Sequence, residues 1–387
     1  MPKISAGILG TGYCVPEHVL TNFDLEKMVQ TNDAWIVERT GIHERRIAAE
    51  DEPVSVLAQR AAEMALADAG VAAEKLDLII MATLTSDRII PATACVLQDR
   101  LGAKHAAAFD LSAACSGFVY AASIATQFIE SGIYRHVLVI GGEILSKVID
   151  WQDRNTCVLF GDGAGAALFG PVEEGYGMRS FDLGSDGSGG DALDIPSSGS
   201  LCPVTPETIK QRLNFVHMDG KAVFRFATKI MGKTVETSLE RAGMRREDLD
   251  FLVPHQANIR IIQAAAKRLD MPMDKVIINI HRYGNMSAAS IPVALAEAAH
   301  AHQFKKGDII ALAGFGAGLT WASCIMKWAK EENGSCLKII RSVKCLASSI
   351  QFFKAVWHGS AQLSLPLLSL TQGALVSSAP DICRRMR

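Results

Sequence analysis

Two separate patterns in the 387-residue sequence recur at one and the same distance, which restricts the folds open to the chain. The helix-like run and the turn of residues 66–77 return as residues 239–250, with matching leucine, alanine, glycine and acidic positions. Two apolar runs that end in Gly141 and Gly314 are 173 positions apart, the same distance as the first pair. Repeats at a fixed distance predict a duplicated unit. The alternative is a chance likeness between two helix–turn–strand segments.

The alternation of strand and helix patterns favours an α/β fold in two halves. Short apolar runs such as 137–141 and 308–313 are typical of strands covered on both faces, and helical patterns such as 61–69 lie between such runs. We therefore expect an N-terminal half over 1–170 and a C-terminal half over 171–330. A site is expected in the cleft where the halves meet.

Composition excludes several classes of protein. Hydrophobic residues make up 49 % of the chain and charged residues 21 %, so a large core can form and the chain as a whole is not disordered. A net charge of −2 argues against a protein that coats nucleic acid. No run long and apolar enough for a membrane span occurs in the first 330 residues, and no signal peptide is expected. The nine cysteines form no Cys-x-x-Cys pair, which favours the cytoplasm over a disulfide framework or a zinc site.

The last 57 residues differ from the body of the chain. Residues 331–387 contain seven Lys or Arg against three acidic residues, and Ser- and Leu-rich sequence replaces the regular alternation of elements. We expect an extension that takes no part in the chemistry. The alternative is an appendage that binds a membrane or a partner.

Cys115 is the first candidate for a catalytic residue. The strand-like run 106–110 leads into a turn of small residues, and a helical pattern follows until Ser131 and Gly132. A thiol at a helix N-terminus is expected to have a pKa below its usual value of about 8.5, because unpaired N–H groups and the helix dipole favour the thiolate. The sequence therefore predicts a nucleophile. The alternative is a buried cysteine that acts as a small hydrophobic residue.

Two further segments carry groups that would complete a site. A buried strand over 251–254 ends in His255, and Asn285 lies in a predicted strand-to-helix turn, 170 positions after Cys115. In a pair of similar halves, the two helix starts would face each other. Taken singly, His255 is as well explained as a structural histidine, and Asn285 as a turn residue. Together the three predict a thiol, imidazole and amide site.

One glycine-rich segment imitates a cofactor motif. Residues 161–166 fit the dinucleotide pattern G-x-G-x-x-A, which requires a helix directly afterwards. The following residues, 167–171, are too few for a helix, so we expect a strand–turn–strand and no nicotinamide cofactor. The signature of papain-like proteases, which also use Cys, His and Asn, is absent around Cys115.

Six ordered motifs resemble the β-ketoacyl-[acyl carrier protein] synthase III family, the initiating condensing enzymes of bacterial fatty-acid synthesis in the thiolase-like superfamily. They are residues 31–42, the Cys115 turn, and residues 160–166, 254–258, 283–285 and 314–321. The resemblance implies a thiolase-like duplicated α/β fold with αβαβα layers. It covers residues 1–330, so the extension 331–387 departs from the family.

The resemblance also implies a reaction and its catalytic residues. Cys115 would take the acyl group of an acyl-CoA, and His255 and Asn285 would donate hydrogen bonds to the malonyl thioester while CO2 leaves. The backbone N–H groups of Cys115 and Ala317 would form the oxyanion hole, although the family usually has glycine at the second position. The products would be 3-oxoacyl-[acyl carrier protein], CoA and CO2, with no metal or redox cofactor.

Binding residues follow from the same resemblance. The residues implied to contact CoA are Trp35, Arg39, Arg154, Phe224 and Asn258.

Residues for the acyl chain and the carrier protein are implied as well. Ile90 would line the acyl pocket, contributed by the second subunit of a homodimer. Arg225, Arg260 and Lys267 would form a basic patch for the acidic acyl carrier protein. Ordinary solvated helix surface is the alternative for these three.

Two other functions remain open from the sequence. One is a related Cys-His-Asn condensing enzyme of secondary metabolism, of polyketide or quinolone starter type. The other is a non-catalytic protein that binds acyl groups or carriers, against which the intact Cys115, His255 and Asn285 argue. The length and branching of the starter acyl group are left undetermined.

Overall fold

A computed structural model describes residues 4–331, so nearly all of the predicted extension lies outside the described residues. The strands of this part of the chain are Ser5–Cys14 (β1), Val19–Thr21 (β2), Glu44–Arg46 (β3), Leu78–Ala82 (β4), Ala107–Leu111 (β5), Val137–Glu143 (β6), Gly163–Val172 (β7), Gly177–Ser185 (β8), Leu193–Asp194 (β9), His217–Met218 (β10), Phe251–Pro254 (β11), Ile309–Gly316 (β12) and Thr320–Lys327 (β13). The α-helices are Asn22–Leu25 (α1), Asp33–Thr40 (α2), Val54–Ala69 (α3), Thr93–Arg100 (α4), Gly117–Glu130 (α5), Pro206–Lys210 (α6), Gly220–Ala242 (α7), Ile259–Arg268 (α8), Ile280–Tyr283 (α9) and Ser290–His300 (α10).

Two long helices end at the repeated glycines. Gly70 ends α3 with a φ of +65°, and Gly243 ends α7 with a φ of +69°. Glycine adopts this left-handed conformation without the steric cost that a Cβ brings, so each glycine stops its helix. A short 3₁₀ turn and then a buried strand follow in both places, β4 after α3 and β11 after α7.

The four strands of the second main sheet follow the order and directions of the first four strands of the five-stranded first sheet. In the first sheet the order is β1-β7-β6-β4-β5, with β4 parallel to β5 and β6 and the other pairs antiparallel. In the second it is β8-β13-β12-β11, with β11 parallel to β12 and the other pairs antiparallel. A shared order is what a duplicated unit requires. The boundary at 170 stays a prediction, and β7 runs across it to Val172.

The elements stack in five layers. Apolar residues of α5 and α10 pack between the two sheets in one core cluster, which includes Phe118, Ile291, Val139 and Leu312. Helices α3 and α4 cover the outer face of the first sheet, and α7 and α8 cover the outer face of the second. The predicted αβαβα layering is therefore confirmed. Among residues 4–331, no helix combines the length and the apolar character needed to cross a membrane.

Two local expectations need correction. Asn285 does not follow a strand, because the short helix α9 precedes it and only an isolated bridge joins Phe160 to Asn285. The segment 161–166 leads into strand β7 rather than a helix, as predicted, but turns rather than a strand precede it. The residues around Phe160 pair with those around Asn285, and such a long-range contact leaves no local signal in the sequence.

The layers approach closely where β6 meets the 3₁₀ turn before α10. A Cβ atom added to Gly141 would lie 2.1 Å from the carbonyl oxygen of Ala288, far inside van der Waals contact. The obstructing atom belongs to the backbone, which cannot rotate away as a side chain can. Glycine at the end of β6 thus permits the contact between the first sheet and the start of α10.

We predict that Gly141→Ala destabilises the protein far more than Gly70→Ala. Gly70→Ala places its methyl group in open space and costs about 1–2 kcal/mol of left-handed strain. Gly141→Ala adds a backbone clash, so its loss in free energy of unfolding should be at least about twice as large. Urea denaturation of the two variants measures this, and equal losses would contradict the tight contact at Gly141.

Candidate active site

Cys115 lies in a sharp turn between strand and helix, as predicted. Strand β5 leads into a 3₁₀ turn over Ala114–Ser116, and α5 begins at Gly117. Ala114 has a φ of +47°, a conformation that non-glycine residues rarely adopt. The turn brings the Cys115 thiol to the start of α5 with 6 % of the residue exposed.

The C-terminal half contains a second turn of the same shape. Ser287 also has a φ of +47°, lies 173 positions after Ala114, and opens a 3₁₀ turn that leads into α10. The two helix starts touch, since a Cβ atom on Gly117 would lie 3.7 Å from the Cβ of Ala288. The sequence-based expectation that the helix starts face each other agrees with this geometry.

The end of β12 packs directly on the backbone of Cys115. A Cβ atom on Gly316 would lie 2.6 Å from the backbone nitrogen of Cys115, and one on Gly314 would lie 3.3 Å from its carbonyl oxygen. Side chains at Gly316 would therefore displace the cysteine. Ala317 follows directly, and among the described residues the structure records no carbonyl oxygen that accepts from the backbone N–H of Ala317 or of Cys115. Both N–H groups are available to a ligand.

The same strand positions His255. Strand β11 pairs with β12, and the backbone N–H of His255 donates to the carbonyl oxygen of Ala313 at 2.7 Å. The imidazole contacts Phe315 edge to face, with ring centroids 5.5 Å apart. Cys115 and His255 thus flank the same strand end, which brings the predicted thiol and imidazole into one site.

His255 is a buried polar side chain without a hydrogen-bond partner. The residue is 1 % exposed, and neither ring nitrogen bonds to any described residue. Burial lowers the pKa of His255 to about 3, so the ring is neutral at physiological pH. An unsatisfied buried polar group costs about 1–3 kcal/mol, and such groups point to a ligand that they bind.

Asn285 is held by three hydrogen bonds that leave its amide nitrogen free among the described residues. Its backbone N–H donates to Leu159 O at 2.8 Å, and its carbonyl accepts from Gly161 N at 3.0 Å. The side-chain Oδ1 accepts from the backbone N–H of Ser287 at 2.8 Å. Because a backbone N–H can only donate, this bond fixes Oδ1 as the acceptor and leaves the Nδ2 hydrogens free to donate.

The Cys115 thiol does not have the lowered pKa that its place at a helix start led us to expect. Burial raises the pKa to about 12, the interaction with the Ser287 hydroxyl lowers it, and the nearby Glu143 raises it further. The thiol is enclosed and α5 begins only at Gly117, so the cost of desolvating a thiolate exceeds the favourable effect of the helix start. The resting site holds a neutral thiol.

Glu143 is the residue near the site that sequence reasoning missed. It ends the apolar strand β6, is fully buried, and accepts a hydrogen bond from the Ser287 hydroxyl at 3.2 Å. A carboxylate that directly follows an apolar run was the available signal. Among residues 4–331, no three His, Cys, Asp or Glu side chains cluster so as to hold a metal ion.

Three of the residues implied to contact CoA form one cluster. The guanidinium groups of Arg39 and Arg154 lie 4.9 Å and 4.8 Å from the ring centroid of Trp35. Asn258 is tied to this cluster, since its Nδ2 donates to Arg39 O at 2.8 Å. Its Oδ1 caps α8 by accepting from Arg260 N at 2.9 Å, so the amide has few free positions.

The remaining predicted residues lie on the surface. Arg225, Arg260 and Lys267 are exposed, and Arg260 lies over the ring of Phe224 at 5.9 Å. Ile90 is 82 % exposed, so the single chain does not enclose it in an acyl pocket.

Comparisons with known proteins show the family of the chain. The family model described as 3-oxoacyl-[acyl-carrier-protein (ACP)] synthase III matches residues 109–187, and the model of its C-terminal part matches residues 239–328. The chain is 57 % identical over 327 residues to a β-ketoacyl-[acyl-carrier-protein] synthase III of Desulfitobacterium hafniense, covering 84 % of this chain and 99 % of the relative.

Solved structures give the same result. The 3-oxoacyl-[acyl-carrier-protein] synthase III of Aquifex aeolicus is 46 % identical, with a TM-score of 0.77 over 84 % of this chain and 100 % of that chain. A priming β-ketosynthase of the R1128 polyketide pathway is 36 % identical, with a TM-score of 0.80 over 85 % and 98 % of the two chains. The chain therefore belongs to the 3-oxoacyl-[acyl-carrier-protein] synthase III family.

Proposed function

We propose that the chain condenses an acyl-CoA starter with malonyl-[acyl carrier protein] and so initiates fatty-acid biosynthesis. The observation that carries the proposal is the convergence of three groups, Cys115, His255 and Asn285, around the end of β12 and the two facing helix starts. The activity named for the relatives requires such a set of groups.

Acyl transfer is the first step. The sulfur of Cys115 gives up its proton and attacks the thioester carbonyl of the acyl-CoA. The bond from that carbon to the CoA sulfur breaks, and CoA leaves as a thiol after its sulfur takes up a proton. Negative charge develops on the carbonyl oxygen in between. The backbone N–H groups of Cys115 and Ala317, which no described acceptor occupies, are suited to stabilise that charge.

Decarboxylation is the second step. The malonyl thioester loses CO2, and the electrons of the broken carbon–carbon bond form an enolate on the thioester oxygen. His255, neutral because burial lowers its pKa to about 3, donates one ring N–H, and Asn285 donates from Nδ2. Neutral donors are suited to this task, since a carboxylate would oppose the developing charge.

Condensation completes the cycle. The enolate carbon attacks the acyl carbonyl on Cys115, a carbon–carbon bond forms, and the cysteine sulfur leaves. The product is 3-oxoacyl-[acyl carrier protein], and the Cys115 thiolate takes up a proton to return to its resting thiol.

Recognition of the substrates follows from the surface residues. The aromatic ring of Trp35, with the guanidinium groups of Arg39 and Arg154 close to it, suits the binding of an adenine ring with phosphates nearby. The exposed Arg225, Arg260 and Lys267 supply positive charge for an acidic carrier protein. Phe224 and Asn258 are assigned to the CoA site.

A homodimer is part of the proposal. Among the described strands, β5 pairs only with β4 and leaves one edge of the first sheet open. The loop after β4 exposes Ile89 by 88 % and Ile90 by 82 %, which is unusual for large apolar side chains. An identical partner would cover both features and place Ile90 in the partner's acyl pocket.

The compartment belongs to the proposal as well. The six cysteines within residues 4–331 are all free thiols, although the exposed Cys95 is open to oxidation. Reduced thiols favour the cytoplasm, where acyl-CoA is available.

A role in secondary metabolism is the second candidate. The likeness to the R1128 priming β-ketosynthase favours it, because that enzyme primes a polyketide pathway. Both candidates share the chemistry and differ in the acyl-CoA that is preferred. Turnover measured with a panel of short straight and branched acyl-CoAs separates them.

We predict that His255→Ala and Asn285→Ala keep acyl transfer to Cys115 and lose condensation. Each variant removes one donor to the enolate, an effect of about 10²–10³-fold by analogy with loss of one oxyanion donor. The assay measures CO2 and 3-oxoacyl product from malonyl-[acyl carrier protein], with acylation measured separately by mass spectrometry.

Asn285→Asp is the matched control, because it keeps the shape and the acceptor for Ser287 N while replacing the donor by a carboxylate. Its condensation rate should fall at least as far as that of Asn285→Ala. Normal condensation in Asn285→Asp, or equal loss of acylation in every variant, would contradict the assigned roles.

We predict that the double substitution Ile89→Asp and Ile90→Asp weakens the dimer. Each buried isoleucine stabilises an interface by about 1.5–3 kcal/mol, so the dissociation constant should rise at least about 100-fold. Analytical ultracentrifugation measures it, with Leu201→Asp as the control, since Leu201 is 97 % exposed and lies elsewhere. A monomeric wild type, or a double variant that dimerises like Leu201→Asp, would refute this interface.

A further inference from the structure

A buried carboxyl group lies next to the thiol and has no role in the reaction derived above. Glu143 ends β6 with 0 % exposure, and among the described residues no lysine, arginine or histidine bonds to it. The groups that donate hydrogen bonds to this carboxylate are all neutral. They are Thr83 Oγ1 at 3.3 Å, Leu84 N at 3.1 Å, Thr85 N at 3.1 Å, Thr85 Oγ1 at 2.6 Å and Ser287 Oγ at 3.2 Å. A set of donors this dense suits an ionised carboxylate, while burial opposes it.

Ser287 connects this carboxylate to the thiol. Its hydroxyl donates to Glu143 Oε1, and its backbone N–H donates to Asn285 Oδ1. The same hydroxyl lies next to the Cys115 thiol, whose pKa it lowers. With its hydrogen on Glu143, the Ser287 oxygen has lone pairs left to accept from the S–H group. The turn geometry at Ser287, with a φ of +47°, holds it between the three side chains.

We propose that Cys115 and Glu143 share one proton through the Ser287 hydroxyl, so that Glu143 stores the thiol proton while the sulfur acts as the nucleophile. The S–H bond breaks as its proton binds Ser287 Oγ, and the original Ser287 proton passes to Glu143 Oε1. The result is a thiolate, a neutral serine and a neutral carboxylic acid. When the acyl group is transferred, the departing CoA thiolate takes a proton from solvent, and Glu143 later releases the stored proton. The use of this thiolate in acyl transfer rests on the proposed function.

Conservation of charge is the physical reason for the shared proton. The site contains one negative charge before the transfer, on Glu143, and one after it, on Cys115. Loss of the thiol proton to solvent would instead leave two negative charges in one buried site, a cost that grows in a low-dielectric environment. Burial raises the pKa of Glu143 to about 7 against the hydrogen bonds from Thr85, Leu84, Ser287 and Thr83, so the group can accept a proton near physiological pH.

Other titratable groups on neighbouring elements have their own partners or are neutral. Asp87 accepts from the backbone N–H of Ser55 in α3, and Asp110 accepts from backbone N–H groups at the start of α4. His255, at the end of β11, is neutral above a pKa of about 3. Glu143 is the only charged group that acts directly on the Cys115 thiol among the described residues.

The test is the pH dependence of alkylation of Cys115 by iodoacetamide, followed on the Cys115 peptide by mass spectrometry. A shared proton makes the thiolate fraction rise until Glu143 ionises near pH 7 and then stay level, because the reactive form and the resting form contain equal numbers of protons. The alkylation rate of Cys115 in wild type should therefore stay constant between about pH 7 and 9. N-acetylcysteine in a parallel sample monitors the reagent.

Two substitutions separate the parts of the proposal. Glu143→Gln removes the shared proton, so the rate should rise about tenfold per pH unit through pH 9 without levelling. Ser287→Ala removes the hydrogen-bond donor to the thiolate. The alkylation rate of this variant should still level off above pH 7, but at a value about tenfold or more below that of wild type. Alanine fits this turn, because Ala114 has the same φ at the corresponding position of the other half.

Asp182→Asn is the control for loss of a buried carboxylate. Asp182 is 8 % exposed, bonds to Thr234 and Arg241, and lies in β8 outside the site, so the profile of this variant should match wild type. A Glu143→Gln profile that levels like wild type would overturn the shared proton, and an unchanged level in Ser287→Ala would overturn the path through the hydroxyl. Should Glu143→Gln fail to fold, as judged by its melting curve, the wild-type and Ser287→Ala profiles still decide the proposal.

The outcome is independent of the proposed condensation, because iodoacetamide replaces the acyl-CoA. A level wild-type profile in a chain that takes no acyl group from acyl-CoA would refute the function and leave the shared proton intact. If wild type takes an acyl group from acyl-CoA but its alkylation rate rises steadily through pH 9, the shared proton is refuted and the proposed function stands.

Discussion

Close backbone contact between the two halves is the constraint on which the site depends. Glycines at the ends of two corresponding strands, Gly141 and Gly314, lie against the carbonyl oxygens of Ala288 and Cys115, each in the turn of the opposite half. These contacts hold two strained turns face to face, with α5 and α10 between the sheets. Cys115, His255 and Asn285 come from three separate elements, and their convergence follows from this packing rather than from any local motif.

The electrostatics of the site follow from burial in the same place. Burial lowers the pKa of His255, raises that of Cys115 and raises that of Glu143, so each group tends towards its neutral form. A neutral imidazole and an amide are suited to receive charge that develops on a substrate oxygen. The thiol needs a route for its proton, and the hydroxyl of Ser287 with the carboxylate of Glu143 offers one.

Much of the fold was predictable because its signals are local. The glycines that end α3 and α7, the apolar strands and the turn at Cys115 all follow from short-range patterns, and the repeat distance indicated that the helix starts face each other. The short helix before Asn285 and the bridge from Phe160 were missed because they depend on long-range contact. The thiol pKa was wrong in direction, since the sequence shows a helix start but not the depth at which packing buries it.

The account rests most directly on Cys115 as the residue that takes the acyl group. Intact-protein and peptide mass spectrometry after incubation with acetyl-CoA, in the absence of malonyl-[acyl carrier protein], measures this directly. We predict one acyl group per chain, located on the peptide that contains Cys115 and absent from Cys115→Ser. An acyl group on another residue, or an undiminished adduct in Cys115→Ser, would contradict it.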